Sequence, residues 1–192
     1  MNRKCRIFVI SMVCLLGLFT ACSNPNNDTN TGSDNGRTLW QETKNGYTGK
    51  VILTEGVEDG MKTKGLSYTI QENSSGKRMG FGIVKLEANG NVLYKGAIMA
   101  ERKSEPFTNL YWTNYQISCG QNSIIMSNAL GAPSEENGYY QFMILGGISE
   151  VQLTALKNAN VLLISLTNSS DSTRNTTFSC DFNFITNLIK YF

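Results

Sequence analysis

The side chains that most often do chemistry in proteins are thinly supplied in this chain. There is no histidine, so the commonest general base and the commonest metal ligand are both missing. Ser-His-Asp and Cys-His nucleophiles are therefore excluded. A zinc site is disfavoured on the same ground, since no CxxC spacing occurs either. What remains is carboxylate chemistry. Glycoside hydrolysis needs two carboxyl groups flanking the scissile bond, and the candidates are Glu55 and Glu58 with Asp59, or Glu135 with Glu136. Each group lies in a Gly- or Pro-rich connection, Gly131-Ala132-Pro133-Ser134 before the second pair and Asn137-Gly138 after it. Solvated charge is the expected state in such turns. No Ser/Lys pair stands out among the many serines. No GxSxG, P-loop, Rossmann glycine pattern or HExxH is present. Gly80-Phe81-Gly82 is a fragment within a strand pattern and reads as sheet packing. Asp28-x-Asn30-x-Gly32-x-Asp34 approaches a calcium loop, but its Gly falls one place early and Leu39 stands where the bidentate Glu belongs. These residues predict no enzyme, no metal and no cofactor.

Binding residues are easier to find. In Phe107-Thr-Asn-Leu-Tyr111-Trp112-Thr-Asn-Tyr115, a strand would put Tyr111 and Tyr115 on one face and Trp112 on the other. Planar rings beside Asn109 and Asn114 suit contact with a sugar or a protein. Aromatic residues are also enriched in strands generally, and burial in the core is the better expectation for them. Cys119 and Cys180 form the downstream cysteine pair. In an oxidising compartment they predict a disulfide, worth about 4 kcal/mol for so long a loop; two buried free thiols are the competing reading.

The elements that would hold these residues are mostly strands. Tyr47–Thr54, Leu66–Glu72, Met79–Glu87 and Val92–Ala100 have strand character. The last two flank Asn89-Gly90, a strong hairpin signal because both residues tolerate positive φ. Phe81 and Ile83 point one way and Val84 and Leu86 the other, so the sheet is apolar on both faces there. Further strands are expected over Leu110–Ser118, Ser123–Leu130, Tyr139–Leu145 and Val161–Thr167. Ser149 with Gln152 makes a capping box for a helix over Glu150–Asn158, with Ile148 placed to staple against Leu153. The chain ends in an amphipathic helix. Phe182, Phe184, Ile185, Leu188, Ile189, Tyr191 and Phe192 fill one half of its wheel, Asp181 caps its start and Lys190 suits its end. The fold class is α+β, mainly β: an antiparallel sheet or sandwich with one short internal helix and a C-terminal amphipathic helix.

The first residues are of another kind. Arg3, Lys4 and Arg6 precede an uncharged run from Ile7 to Phe19, the first two parts of a secretory signal. The run is short of the roughly 18 residues that spanning a bilayer needs. Phe19-Thr20-Ala21-Cys22 follows and resembles the lipobox of bacterial lipoproteins, with Phe19 in place of the preferred leucine. The resemblance implies cleavage before Cys22, a diacylglyceryl group on its sulfur and further acylation of palmitate type. It covers only these residues. Several acyl chains at about 0.8 kcal/mol per buried methylene make an almost irreversible anchor. Ser23, rather than Asp, leans towards the outer membrane by the family's sorting rule, without saying whether the domain faces the periplasm or the exterior. Cys5 and Cys14 would leave with the signal.

Residues 1–21 thus read as a lipoprotein signal peptide, 22–37 as the lipidated Cys and a polar tether too poor in apolar side chains to fold, and 38–192 as one β-rich globular domain. Losing Arg3, Lys4 and Arg6 turns 17 basic against 15 acidic residues into 14 against 15. That near-neutral balance excludes the basic surface that nucleic acid requires. The expectation is a lipid-anchored, non-catalytic binding or structural module of the cell envelope, whose partners are the membrane and an envelope protein. A surface adhesin or carbohydrate binder using Tyr111, Trp112 and Tyr115 is the alternative, and a histidine-free hydrolase the third.

Overall fold

Two Asn-Gly pairs set the architecture. Asn45-Gly46 (φ 53° and 79°) and Asn89-Gly90 (φ 51° and 75°) both adopt left-handed conformations, the geometry of two-residue hairpins whose twist matches that of the flanking strands. The first joins β1 (Gly36–Lys44) to β2 (Tyr47–Glu58), and the second joins β4 (Arg78–Ala88) to β5 (Asn91–Arg102). Between them β3 (Met61–Glu72) completes a run of antiparallel neighbours. The computed structural model describes residues 36–58, 60–108, 111–136 and 138–192. Residues 1–35, on which the expected signal, Cys22 and most of the expected tether fall, lie outside the described residues.

After β5 the chain leaves the sheet for β6 (Asn114–Cys119) and β7 (Asn122–Ile124), and returns as β8 (Ser127–Glu136) and β9 (Tyr139–Ile148). Helix α1 (Glu150–Lys157) leads to β10 (Leu162–Thr167) and β11 (Thr176–Cys180), and helix α2 (Phe182–Tyr191) closes the chain. One sheet has seven strands in the order β1-β2-β3-β4-β5-β9-β8; the other has four, β11-β10-β6-β7. All pairings are antiparallel. The fold is therefore mainly β with two sheets, one short internal helix and a C-terminal helix, as the strand and cap patterns predict.

The main core lies between the inner faces of the two sheets. Val51, Leu66, Phe81, Ile83, Ile98, Phe142 and Ile144 of the large sheet share one buried cluster with Ile117, Leu162, Ile164 and Phe178 of the small one. Both helices close this cluster, α1 through Leu153 and Leu156, and α2 through Phe184, Ile185 and Leu188. The Phe184 ring meets Phe81 edge-on at 5.8 Å, a favoured aromatic geometry. Val84 and Leu86 sit in a second cluster on the opposite face of the large sheet, with Met61, Ala97, Met99 and Met143. The helix caps follow the sequence: the Ser149–Gln152 capping box is formed in full, and Asp181 accepts from the Asn183 backbone N–H.

The expected disulfide is not formed: Cys119 and Cys180 are buried free thiols. The register gives the reason. Cys119 on β6 and Cys180 on β11 both lie opposite Leu162, which stands on the strand between them. Two strand spacings put their Cα atoms about 9–10 Å apart, beyond the roughly 7 Å that a disulfide can bridge. Cys180 therefore does not staple the start of α2 to Cys119. Burial pushes both thiols above their ordinary pKa, and the neighbouring Asp181 adds to the effect at Cys180.

Candidate functional site

The two groups of carboxylates singled out for hydrolysis lie in different parts of the large sheet. Glu55 is on β2 and Glu135 on β8, five strands away in the sheet order, or roughly 24 Å at one strand spacing per step. Glu55 is held by Lys64 at 2.9 Å, and Glu135 is exposed. Asp59 and Asn137 fall outside the described residues, as do the side chains of Glu58 and Glu136. Among the described residues no group of three or more Cys, Asp or Glu could hold a metal ion.

Tyr111 and Trp112 precede β6 rather than lying on it, so the shared strand face expected for Tyr111 and Tyr115 is not formed. Tyr115 instead anchors the chain between β7 and β8, its hydroxyl accepting from Met126 N–H at 2.9 Å and donating to Met126 C=O at 3.1 Å. Trp112 is buried and packs with Phe107 and Phe142; its indole N–H donates to Arg174 C=O at 2.7 Å. Two guanidinium groups stand over the Tyr111 ring, Arg102 at 4.6 Å and Arg174 at 5.0 Å from its centre. Arg102 also donates to the Tyr111 hydroxyl and to the carbonyls of Glu105 and Pro106. Both cations interact with the electron-rich face of the ring. A cleft of about 250 Å³ opens beside the cluster, and the aromatic residues serve there mainly as the packed base of a loop.

A larger cleft, of about 590 Å³, escaped the sequence reading. It lies on the inner face of the large sheet, beyond the C-terminal end of α2. Strand alternation places Glu55 and Val57 of β2, Lys62 and Lys64 of β3, and Lys85 and Glu87 of β4 along its floor, while Tyr191 and Phe192 form a wall. The registers Glu55↔Lys64↔Lys85 and Val57↔Lys62↔Glu87 make two cross-strand rows. Lys64 and Lys85 are thus directly opposite, an arrangement that costs stability by charge repulsion. Glu55 relieves it at 2.9 Å from Lys64, and Glu87 at 3.2 Å from Lys85. Lys62 forms no ion pair among the described residues. The Tyr191 hydroxyl accepts from Arg37 at 3.2 Å, and Lys190 lies 5.1 Å from the Tyr191 ring centre. The volume falls within the range of small-ligand sites, and the lining joins ammonium groups to an aromatic wall. Such a site can hold an anion with an apolar flank.

The chain matches no protein-family model, no curated protein and no solved structure.

Proposed function

We propose that the chain is a lipid-anchored, non-catalytic binding or structural module of the bacterial cell envelope. The observation that carries the anchor is the ordered series Arg3-Lys4-x-Arg6, the apolar run to Phe19, and Thr20-Ala21-Cys22. The lysine-floored cleft supports a binding role for the domain, because its charged groups engage one another rather than forming an acid–base pair. No helix among the described residues is long and apolar enough to cross a membrane. The lipid on Cys22 would supply the attachment, and Ser23 favours the outer membrane as its place.

Metabolic labelling with an alkyne-bearing palmitate, followed by membrane fractionation, tests this reading. The wild-type chain should be labelled and sediment with membranes, and Cys22→Ser should be unlabelled and accumulate uncleaved. A labelled Cys22→Ser chain, or an unlabelled wild type, would overturn the anchor.

A further inference from the structure

The large cleft lies beside the point where the tether joins the domain. Gly36 pairs with Thr54, the neighbour of Glu55 on the cleft floor, and Arg37 bonds Tyr191 on its wall. β2 and β3 run on past the start of β1, and their overhang carries Val57, which is 72% exposed at the rim. The thirteen residues from Ser23 to Asn35 can reach no further than about 45 Å. A domain held that close to a bilayer meets headgroups at high effective concentration.

We propose that this cleft binds the anionic headgroup of a phospholipid: a phosphodiester monoanion among Lys62, Lys64 and Lys85, with the adjoining apolar segment against Phe192 and Val57. That the bilayer supplies the ligand rests on the lipid-anchor reading; the ligand chemistry does not. The floor carries three lysines and two glutamates; Glu55 and Glu87 pair with Lys64 and Lys85, and Lys62, with no ion pair among the described residues, gives the floor the excess positive charge that an anion would meet. Glu55 and Glu87 stand among the lysines of the floor, so it is not a basic plane. Attraction is local to the lysines and requires a headgroup seated in the cleft.

The test uses the chain from residue 22 onward carrying Cys22→Ser, without the basic and apolar residues 1–21, titrated calorimetrically with dihexanoylphosphatidylglycerol below its micelle concentration. Dihexanoylphosphatidylcholine and inorganic phosphate are titrated in parallel. The phosphatidylglycerol should bind and the zwitterionic lipid should not. Lys62→Gln, at an exposed position with no ion pair to lose, should weaken binding about fivefold, the usual effect of one lysine near an anionic lipid surface. Phe192→Ala should weaken the lipid and leave phosphate unchanged. Equal binding of the two lipids, or no effect of Lys62→Gln in a chain with unchanged circular dichroism, overturns the proposal. Phosphate binding as tightly as phosphatidylglycerol, insensitive to Phe192→Ala, overturns its apolar half and makes a free anion the ligand. Selective lipid binding by a protein whose Cys22 takes no palmitate removes the bilayer as the source and leaves the cleft's chemistry standing.

Discussion

Individual side chains divide by how much solvent they have lost. Arg78 on β4 and Glu101 on β5 form a cross-strand ion pair with side chains 3% and 4% exposed. Gln141 extends the pair, donating to Glu101 at 3.1 Å, and Ser134 donates to Gln141 at 3.4 Å. Glu101→Ala removes the carboxylate facing a buried guanidinium and should cost about 3–5 kcal/mol. Lys64→Ala breaks a pair that is 36% and 56% exposed and should cost less than about 1 kcal/mol. Urea denaturation of the two variants checks the contrast, and comparable losses would contradict it. Burial also raises the pKa of Tyr68, aided by the nearby Cys180, Asp181 and Glu42, and it raises that of Cys180. Both groups hold their protons more tightly folded than unfolded. Their contribution to stability is therefore complete below the unfolded values of about 8.5 for the thiol and about 10 for the phenol, and it is lost as pH rises beyond them. The melting temperature should fall on the alkaline side, more shallowly in Tyr68→Phe with Cys180→Ala. An alkaline limb of unchanged slope would place its origin in other groups.

The elements were legible where period and punctuation agreed. β4 and β5 are apolar runs punctuated by Asn89-Gly90, and α1 and α2 carry their caps in the sequence. β1 was not anticipated, although Asn45-Gly46 marks its turn, because Gly36-Arg-Thr-Leu-Trp-Gln-Glu-Thr-Lys44 is an exposed edge strand. Leu39 and Trp40 anchor it to the core, Trp40 lying over Gly49, where a Cβ would come within 3.1 Å of the ring. β11 has only Phe178 and Cys180 facing inward, too short a pattern to separate from the Ser/Asn-rich chain before it. The lysine cleft could not be read at all, since Lys64 and Lys85 become neighbours only through the β3–β4 register. The disulfide expectation failed for the same reason: the strand between the cysteines is a fact of topology. On α2 the expected apolar half-wheel is narrower in the fold. Leu188 is fully buried while Ile189 is 58% exposed. Leu188→Ala should therefore cost about 2–5 kcal/mol, and Ile189→Ala about 0.5 kcal/mol or less. Equal losses would mean that α2 is covered on both sides.

At the scale of the whole molecule, the chain crosses between the sheets repeatedly. It builds β1 to β5 of the large sheet, enters the small one for β6 and β7, and returns for β8 and β9. It then revisits the small sheet with β10 and β11 before α2 settles against β3. Neither sheet is a continuous segment, and the inner faces of both belong to one buried cluster with both helices. Unfolding the small sheet would strip Ile117, Leu162, Ile164 and Phe178 from that cluster and release both connections of the β8–β9 hairpin. The sheets should therefore melt together as one cooperative unit. The two tryptophans provide the test. Trp40 stacks near Tyr68 at 6.4 Å on the edge of the large sheet, whereas Trp112 packs at the base of the loop leading into the small one. In Trp40→Phe fluorescence reports Trp112 alone, and in Trp112→Phe it reports Trp40 alone. Within each variant, the fluorescence midpoint in urea should coincide with that of far-ultraviolet circular dichroism. Because each variant is compared with itself, the stability lost with either ring does not enter the result. A fluorescence transition preceding the dichroism change in Trp40→Phe would show the crossover loop and small sheet opening first; the same displacement in Trp112→Phe would show β1 fraying from its edge.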